Sequence, residues 1–288
     1  MNSFTNIVCI PTYNNKNLAI GCVMTLQKLT GTIVHILDDS TDECVRQELE
    51  KYQRERKISN IIYHGLMEGI YRKNHISNWN RYEQMIEEGQ GYMNIRHHDD
   101  YILKKASCPT DKGSGEIDKT DMLINPVAIL IFRLGRYSVY RYHCHPAMQR
   151  FLVNHCKPEI LIYFNYIGPT ACLWIRKEVA KGVGPFDEDM VWLVDVEWYM
   201  RLLKRIDKSR VKISELLINS SMRHQGSITR EINSGSLYIK EVEVRRLVKQ
   251  YRVDNRLRTS AFILRILNRI ISSALLILIR DDCDEKNL

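Results

Sequence analysis

No two of the eight cysteines are spaced Cys-x-x-Cys, and several (Cys9, Cys22 and Cys172) sit inside apolar runs, where cysteine acts as a small buried hydrophobe. A chain of 288 residues has no need of disulfide staples, so reduced thiols in a cytosolic setting are expected. The His143-Cys144-His145 and His155-Cys156 clusters leave a zinc site as an alternative, although zinc-ligand spacing is missing. The N-terminus, MNSFTNIVCIPTYNN, lacks the basic stretch and apolar core of a secretory signal. No run of 18 apolar residues occurs, which gives no clear membrane-spanning helix. There is no internal repeat and no low-complexity tract. What is present is ordinary globular material: 44% apolar and 26% charged residues, enough for one large α/β domain or two small ones. The net charge of +8 points to anionic partners, whether nucleic acid, nucleotide or lipid.

β-type runs and helical stretches alternate in the first third. Strands are expected at residues 6–11, 32–37, 59–63 and 91–96, and helices at 17–29, 42–56 and 75–89. That alternation predicts a parallel sheet with helices on both faces, whose ligands bind at the carboxyl ends of the strands. Residues 104–126 are polar and predict a loop. Strands follow at 127–133, 137–142, 170–176 and 211–218, with helices at 146–156, 192–206 and 236–256.

Three acidic groups stand out. Asp99-Asp100 follows the 91–96 strand, and two adjacent carboxylates need a cation or a basic partner. A divalent ion gripping a diphosphate is one reading and a solvated turn is the other. Asp38-Asp39-Ser40-Thr41-Asp42 follows the second strand; Asp42 suits a helix N-cap, and Asp39 could instead accept from a base N–H. Asp195 and Glu197, two apart, fall on different faces of a helix, so that one faces a site while the other anchors the helix. Their apolar surroundings would raise a carboxyl pKa towards that of a useful base. Two exposed acids on an amphipathic helix are the plainer alternative.

Order and spacing join these groups. Pro11-Thr12-Tyr13-Asn14 closes the first strand and Asp38-Asp39-Ser40-Thr41-Asp42 the second. Asn78-Trp79-Asn80-Arg81 lies on the next helix, and Gly91-Tyr92 opens the strand to His97-His98-Asp99-Asp100. Gly184-Pro185-Phe186-Asp187 precedes the 193–197 stretch, and His224-Gln225-Gly226-Ser227 follows the last strand. Over about residues 5–230 this series resembles the family 2 glycosyltransferases and their GT-A fold, a Rossmann-like, mostly parallel sheet with flanking helices. The resemblance implies nucleotide contacts at Pro11, Thr12, Tyr13, Asp38, Asp39, Arg72, Asn78 and Asp99, with Arg72 and Lys73 able to pair with phosphate. It implies Mn²⁺ or Mg²⁺ held by Asp100, His98 (where the first acid of the family's DxD motif usually stands) and His224. It makes Asp195 the base of an inverting transfer, Glu197 its reserve, and a nucleotide sugar, UDP-linked by preference, the donor.

Residues 256–280 carry five Arg and no acid. At 100° per residue Arg258, Arg265, Arg269 and Arg280 form one stripe, and Ile263, Leu264, Leu267, Ile270, Ile271, Ala274 and Leu278 cover the opposite side. Such a helix suits an anionic membrane surface, with docking on its own domain or a second subunit as the alternative. The domains expected are 1–230 (a donor half, 1–103, and an acceptor half, 104–230) and a helical extension, 231–288. The function expected is transfer of a sugar to a glycan or lipid-linked acceptor in surface-polysaccharide synthesis, at the inner face of a cell membrane and without nucleic acid. The competing classes are a sugar-nucleotide nucleotidyltransferase, whose Gly- and basic-rich first loop PTYNNKN does not provide, and a non-catalytic basic adaptor, which has no need of acids at the rim.

Overall fold

The computed structural model describes residues 4–26, 29, 31–56, 60–65, 75–86, 90–98, 100–102, 119–133, 136–214, 219–222 and 237–279. Its strands are β1 (Asn6–Thr12), β2 (Thr32–Asp38), β3 (Ile61–His64), β4 (Tyr92–Ile95), β5 (Asp100–Ile102), β6 (Met122–Ile124), β7 (Val127–Arg133), β8 (Arg136–Tyr142), β9 (Leu173–Arg176), β10 (Val211–Ile213) and β11 (Asn219–Met222). Its α-helices are α1 (Lys16–Leu26), α2 (Glu43–Arg56), α3 (His75–Trp79), α4 (Tyr82–Met85), α5 (Pro146–His155), α6 (Lys177–Val183), α7 (Val194–Arg205), α8 (Leu237–Gln250) and α9 (Arg256–Ile279).

Seven strands form one sheet in the order β10-β6-β9-β4-β1-β2-β3. β1 lies parallel to β2 on one side and to β4 on the other, and β9 runs antiparallel between β4 and β6. Successive β1 residues serve opposite faces. Ile7 and Cys9 join a core under Tyr82, Phe186 and Trp198, while Val8 and Ile10 join one with Cys22, Val23 and Leu26 of α1. This is why the strand reads as a continuous apolar run. The entry to β4 depends on Gly91 (φ +140°), where a Cβ would stand 2.1 Å from the Thr5 carbonyl oxygen. A second sheet, β5-β11-β7-β8, pairs the backbone of Asp100 with that of Ser221.

The structure corrects several expected boundaries. The region expected as a loop at 104–126 contains β6, a three-residue strand inside the main sheet. The strand expected at 170–176 begins with a 3₁₀ turn and becomes extended only at Leu173. The helix expected at 75–89 breaks after Trp79, where the chain tightens to an Arg81 N–H bond to the Asn78 carbonyl. The helix expected at 236–256 ends at Gln250, and Arg252 in the left-handed region (φ +50°) turns the chain into α9.

Candidate active site

Chain order puts the site at one place. The strands step outward from β1 to β2 to β3, then return to the other side of β1 as β4, so the crevice between the ends of β1 and β4 is the switch point at which open α/β sheets bind ligands. The loops at that rim are tied together by short polar side chains. Asn14, in the left-handed region (φ +47°), donates its N–H to Ser40 Oγ, and its Oδ1 accepts the N–H groups of Thr41 (3.0 Å) and Asp42 (3.1 Å). Asp42 caps α2 by accepting the Cys44 N–H at 2.9 Å. Asp38 is fully buried, and its carboxylate accepts the Ser40 N–H and hydroxyl and the Tyr63 hydroxyl (2.8 Å). It therefore shapes the rim from beneath, whereas Asp39 is half-buried and Tyr13 is 55% exposed beside it. Pro11 and Thr12 are buried at the end of β1, and the Thr12 hydroxyl is a buried polar atom without a partner.

The Asn78-Trp79-Asn80-Arg81 motif works as a set of staples behind that rim. Asn78, 3% exposed, donates to the Leu37 carbonyl (3.0 Å) and accepts from Arg81, so its amide faces the wall and not the crevice. Arg81 also reaches the carbonyls of Asp38, His64 and Gly65. Trp79 packs on the His97 ring at 4.5 Å and edge-on to Phe186. Asn80 pairs with both the N–H (2.7 Å) and the carbonyl (3.0 Å) of Phe186. The motif thus joins the β2 rim to the loop that leads into α7.

Asp195 lies in the first turn of α7, where the helix dipole favours an anion. Its Oδ1 accepts the Val196 N–H (2.8 Å) and its Oδ2 the Asn165 amide (3.2 Å). Burial of the carboxyl pushes its pKa up to about 7; the bonds from Val196 and Asn165 oppose the rise and the negative charge of Glu243 adds to it. Asn165 is itself fixed, accepting from Ile167 and Gly168 N–H and donating to the Gly168 carbonyl. The same segment ends near β4, where Thr170 Oγ1 lies 3.4 Å from His97 Nε2. Glu197 has the other role. It is 3% exposed, paired with Arg201 and bonded by the Tyr251 hydroxyl at 2.7 Å, so it anchors α7 and is not placed as a reserve base. Asn165 and Glu243 carry no motif and were not among the residues expected; Asn165 stands in an apolar stretch, but Glu243 lies among other charges and nothing in its local sequence could have flagged it.

Of the expected metal ligands, His98 is half-buried just past the end of β4 and the Asp100 backbone begins β5. Asp99, His224, Arg72 and Lys73 lie outside the described residues. Among the described residues no three His, Cys, Asp or Glu side chains converge as a metal site. The zinc alternative is not borne out among them: the His143 ring bonds the Asn165 carbonyl, His145 Nδ1 caps α5, and burial raises the Cys144 thiol pKa.

A mostly parallel sheet buried on both faces, a polar loop cluster at its switch point and a carboxyl raised to about 7 define an open α/β fold with a candidate acid–base group. No protein-family model matches the chain, and no curated protein matches it in sequence. Solved structures share its fold. Residues 1–349 of S. aureus TarS align with a TM-score of 0.52 and 18% identity, over 76% of this chain and 60% of that one. GalNAc-T7, crystallised with UDP, GalNAc and Mn²⁺, aligns with a TM-score of 0.57 and 14% identity, over 85% of this chain and 48% of that one. The fold is therefore GT-A, that of glycosyltransferases. The chain spans about half to three-fifths of the length of these structures.

Proposed function

We propose that the protein is a glycosyltransferase that moves a sugar from a nucleotide-sugar donor to a hydroxyl of a glycan or lipid-linked acceptor, with inversion at the anomeric carbon. The observation that carries this reading is the Asp195 carboxyl, raised to about 7 at the N-terminus of α7 in a GT-A fold. A base of that pKa is half ionised at neutral pH and strong enough to take the acceptor proton as attack develops. The exposed Tyr13 and the half-buried Asp39 at the β1 and β2 ends are suited to the nucleoside. UDP is favoured because the GalNAc-T7 structure contains it. A Mn²⁺ or Mg²⁺ ion held by Asp100 with His98 and His224 would neutralise the leaving diphosphate; the partial exposure of His98 at the rim fits that role.

The test is a screen of UDP-, GDP- and dTDP-sugars followed by Asp195→Asn. Transfer by the wild-type chain should climb through about pH 7 and level off above it. The variant should lose about 10²–10⁴ in kcat with donor KM little changed. Near wild-type transfer by Asp195→Asn would remove the base assignment.

The last helix supports peripheral contact with an anionic membrane through Ile263, Leu267, Ile270 and Ile271 of the apolar side the sequence pattern suggests, joined by Phe262 and Ile266, while Leu264 turns to the body. α9 docks on the body through Leu257, Ala261, Leu264, Asn268 and Ser272. Asn268 pegs it, accepting the His145 N–H (3.0 Å) and donating to the His143 carbonyl (3.1 Å). Phe262, Ile263, Ile266, Leu267, Ile270 and Ile271 point outward, between 37% and 63% exposed. Exposed Arg258, Arg265 and Arg269 flank that arc. An apolar face bordered by cations is the composition of a helix lying in a lipid headgroup layer. No described helix is long and apolar enough to cross a membrane.

A further inference from the structure

We propose that Glu243, on the C-terminal helix α8, is a positioning residue for Asp195: it seats the backbone that delivers the candidate base to the site. This rests on the reading of Asp195 as the base. The Glu243 carboxylate, 5% exposed, accepts three consecutive main-chain N–H groups, those of Val191 (2.6 Å), Trp192 (2.9 Å) and Leu193 (2.7 Å). Successive N–H groups of this kind form an anion-binding concavity, and here the anion is a side chain from about fifty positions further along. The concavity sits at the entry to the twelve-residue helix α7, where the dipole adds to the attraction. Charge-assisted bonds in a buried setting are the strong ones. They fix the three residues immediately ahead of Val194 and Asp195, and with them the direction in which the first turn of α7 presents its carboxyl.

α8 holds the same stretch at two further points. Arg246 bonds Asp187 at 2.7 Å, upstream of the concavity, and Tyr251 bonds Glu197 at 2.7 Å, downstream. Either of those contacts is met by a simple brace. Glu243 differs because its charge also bears on Asp195; the other groups acting on that carboxyl are neutral, the N–H groups of Val196 and of Asp195 itself and the Asn165 amide. Glu243 would thus set both where Asp195 stands and how readily it ionises.

Carboxyl-¹³C NMR of the full chain follows the Asp195 titration directly, assigned with Asp195→Asn and compared in wild type, Glu243→Gln and Arg246→Ala. Glu243→Gln should lower the Asp195 midpoint, and Arg246→Ala should leave it in place. Glu243→Asp keeps the charge but shortens the reach by one methylene; it should lower kcat about tenfold or more with donor KM unchanged. An unmoved midpoint in folded Glu243→Gln, or wild-type kcat in Glu243→Asp, overturns the proposal. The base reading fails separately, through full transfer by Asp195→Asn, and the NMR midpoint still reports on Glu243 in that case.

Discussion

At the scale of the residue, the site is a set of polar side chains sorted into two kinds by burial. Asp38, Asn78, Asn80, Arg81, Asn165 and Glu197 turn their hydrogen-bonding groups to main chain or to neighbouring side chains. Tyr13, Asp39 and His98 keep partial or full exposure at the rim. A motif in a sequence does not separate the two, because a residue that shapes a pocket and one that lines it occupy adjacent positions. Asp38 and Asp39 are the plain case. His35 and His64 show the same sorting with a measurable consequence. They sit on neighbouring strands with Nδ1 and Nε2 2.9 Å apart, and burial, with the other histidine's charge, lowers His35 to about 4. Burial also lowers His64. Both rings stay neutral in the folded chain while the unfolded chain binds protons below its ordinary histidine pKa, so stability is full above about pH 6.5 and declines as the pH falls towards 4. Urea unfolding should show that decline, and His35→Gln should flatten it; an unchanged slope would remove these two rings as its cause.

At the scale of the element, what was legible was whatever the local pattern dictates. β1, β2 and β4 were readable because strands buried on both faces must be apolar in succession, and the residues at their carboxyl ends followed from parallel order. β6 was not: three apolar residues after a polar stretch look like the end of a loop. β9 was readable as a strand, but nothing local says that it runs against its neighbours. Arg252 was equally silent, since a left-handed arginine is imposed by the α8–α9 turn and by the bond from Val253 N–H back to the Val248 carbonyl. Gly91 shows how narrow such dependences are. A methyl there would overlap the Thr5 carbonyl, and β4 could not keep its register beside β1. Gly91→Ala should cost about 3 kcal/mol, read as a lowered urea midpoint; a loss under half that would mean that the 4–6 segment yields easily.

At the scale of the whole molecule, the C-terminal helices belong to the body as much as to the chain end. α8 grips the approach to α7, and α9 is pegged through Asn268 to the His143–His145 turn, whose His143 ring bonds the Asn165 that bonds Asp195. The sequence pattern assigned the apolar side of α9 to whatever surface it meets; the structure shows a stripe of Leu257, Ala261, Leu264, Asn268 and Ser272 meeting the body, with most of the large apolar side chains turned out. Flotation with anionic vesicles should carry the wild-type chain and should fall about tenfold or more for Ile266→Glu/Ile270→Glu, with the circular dichroism spectrum unchanged. Equal flotation would sink the membrane reading. The outward arc has a further consequence at the bench. Six large apolar side chains presented to water should make purified material adsorb to column matrices and grow in apparent hydrodynamic size with concentration, and a mild detergent should return it to a single narrow species.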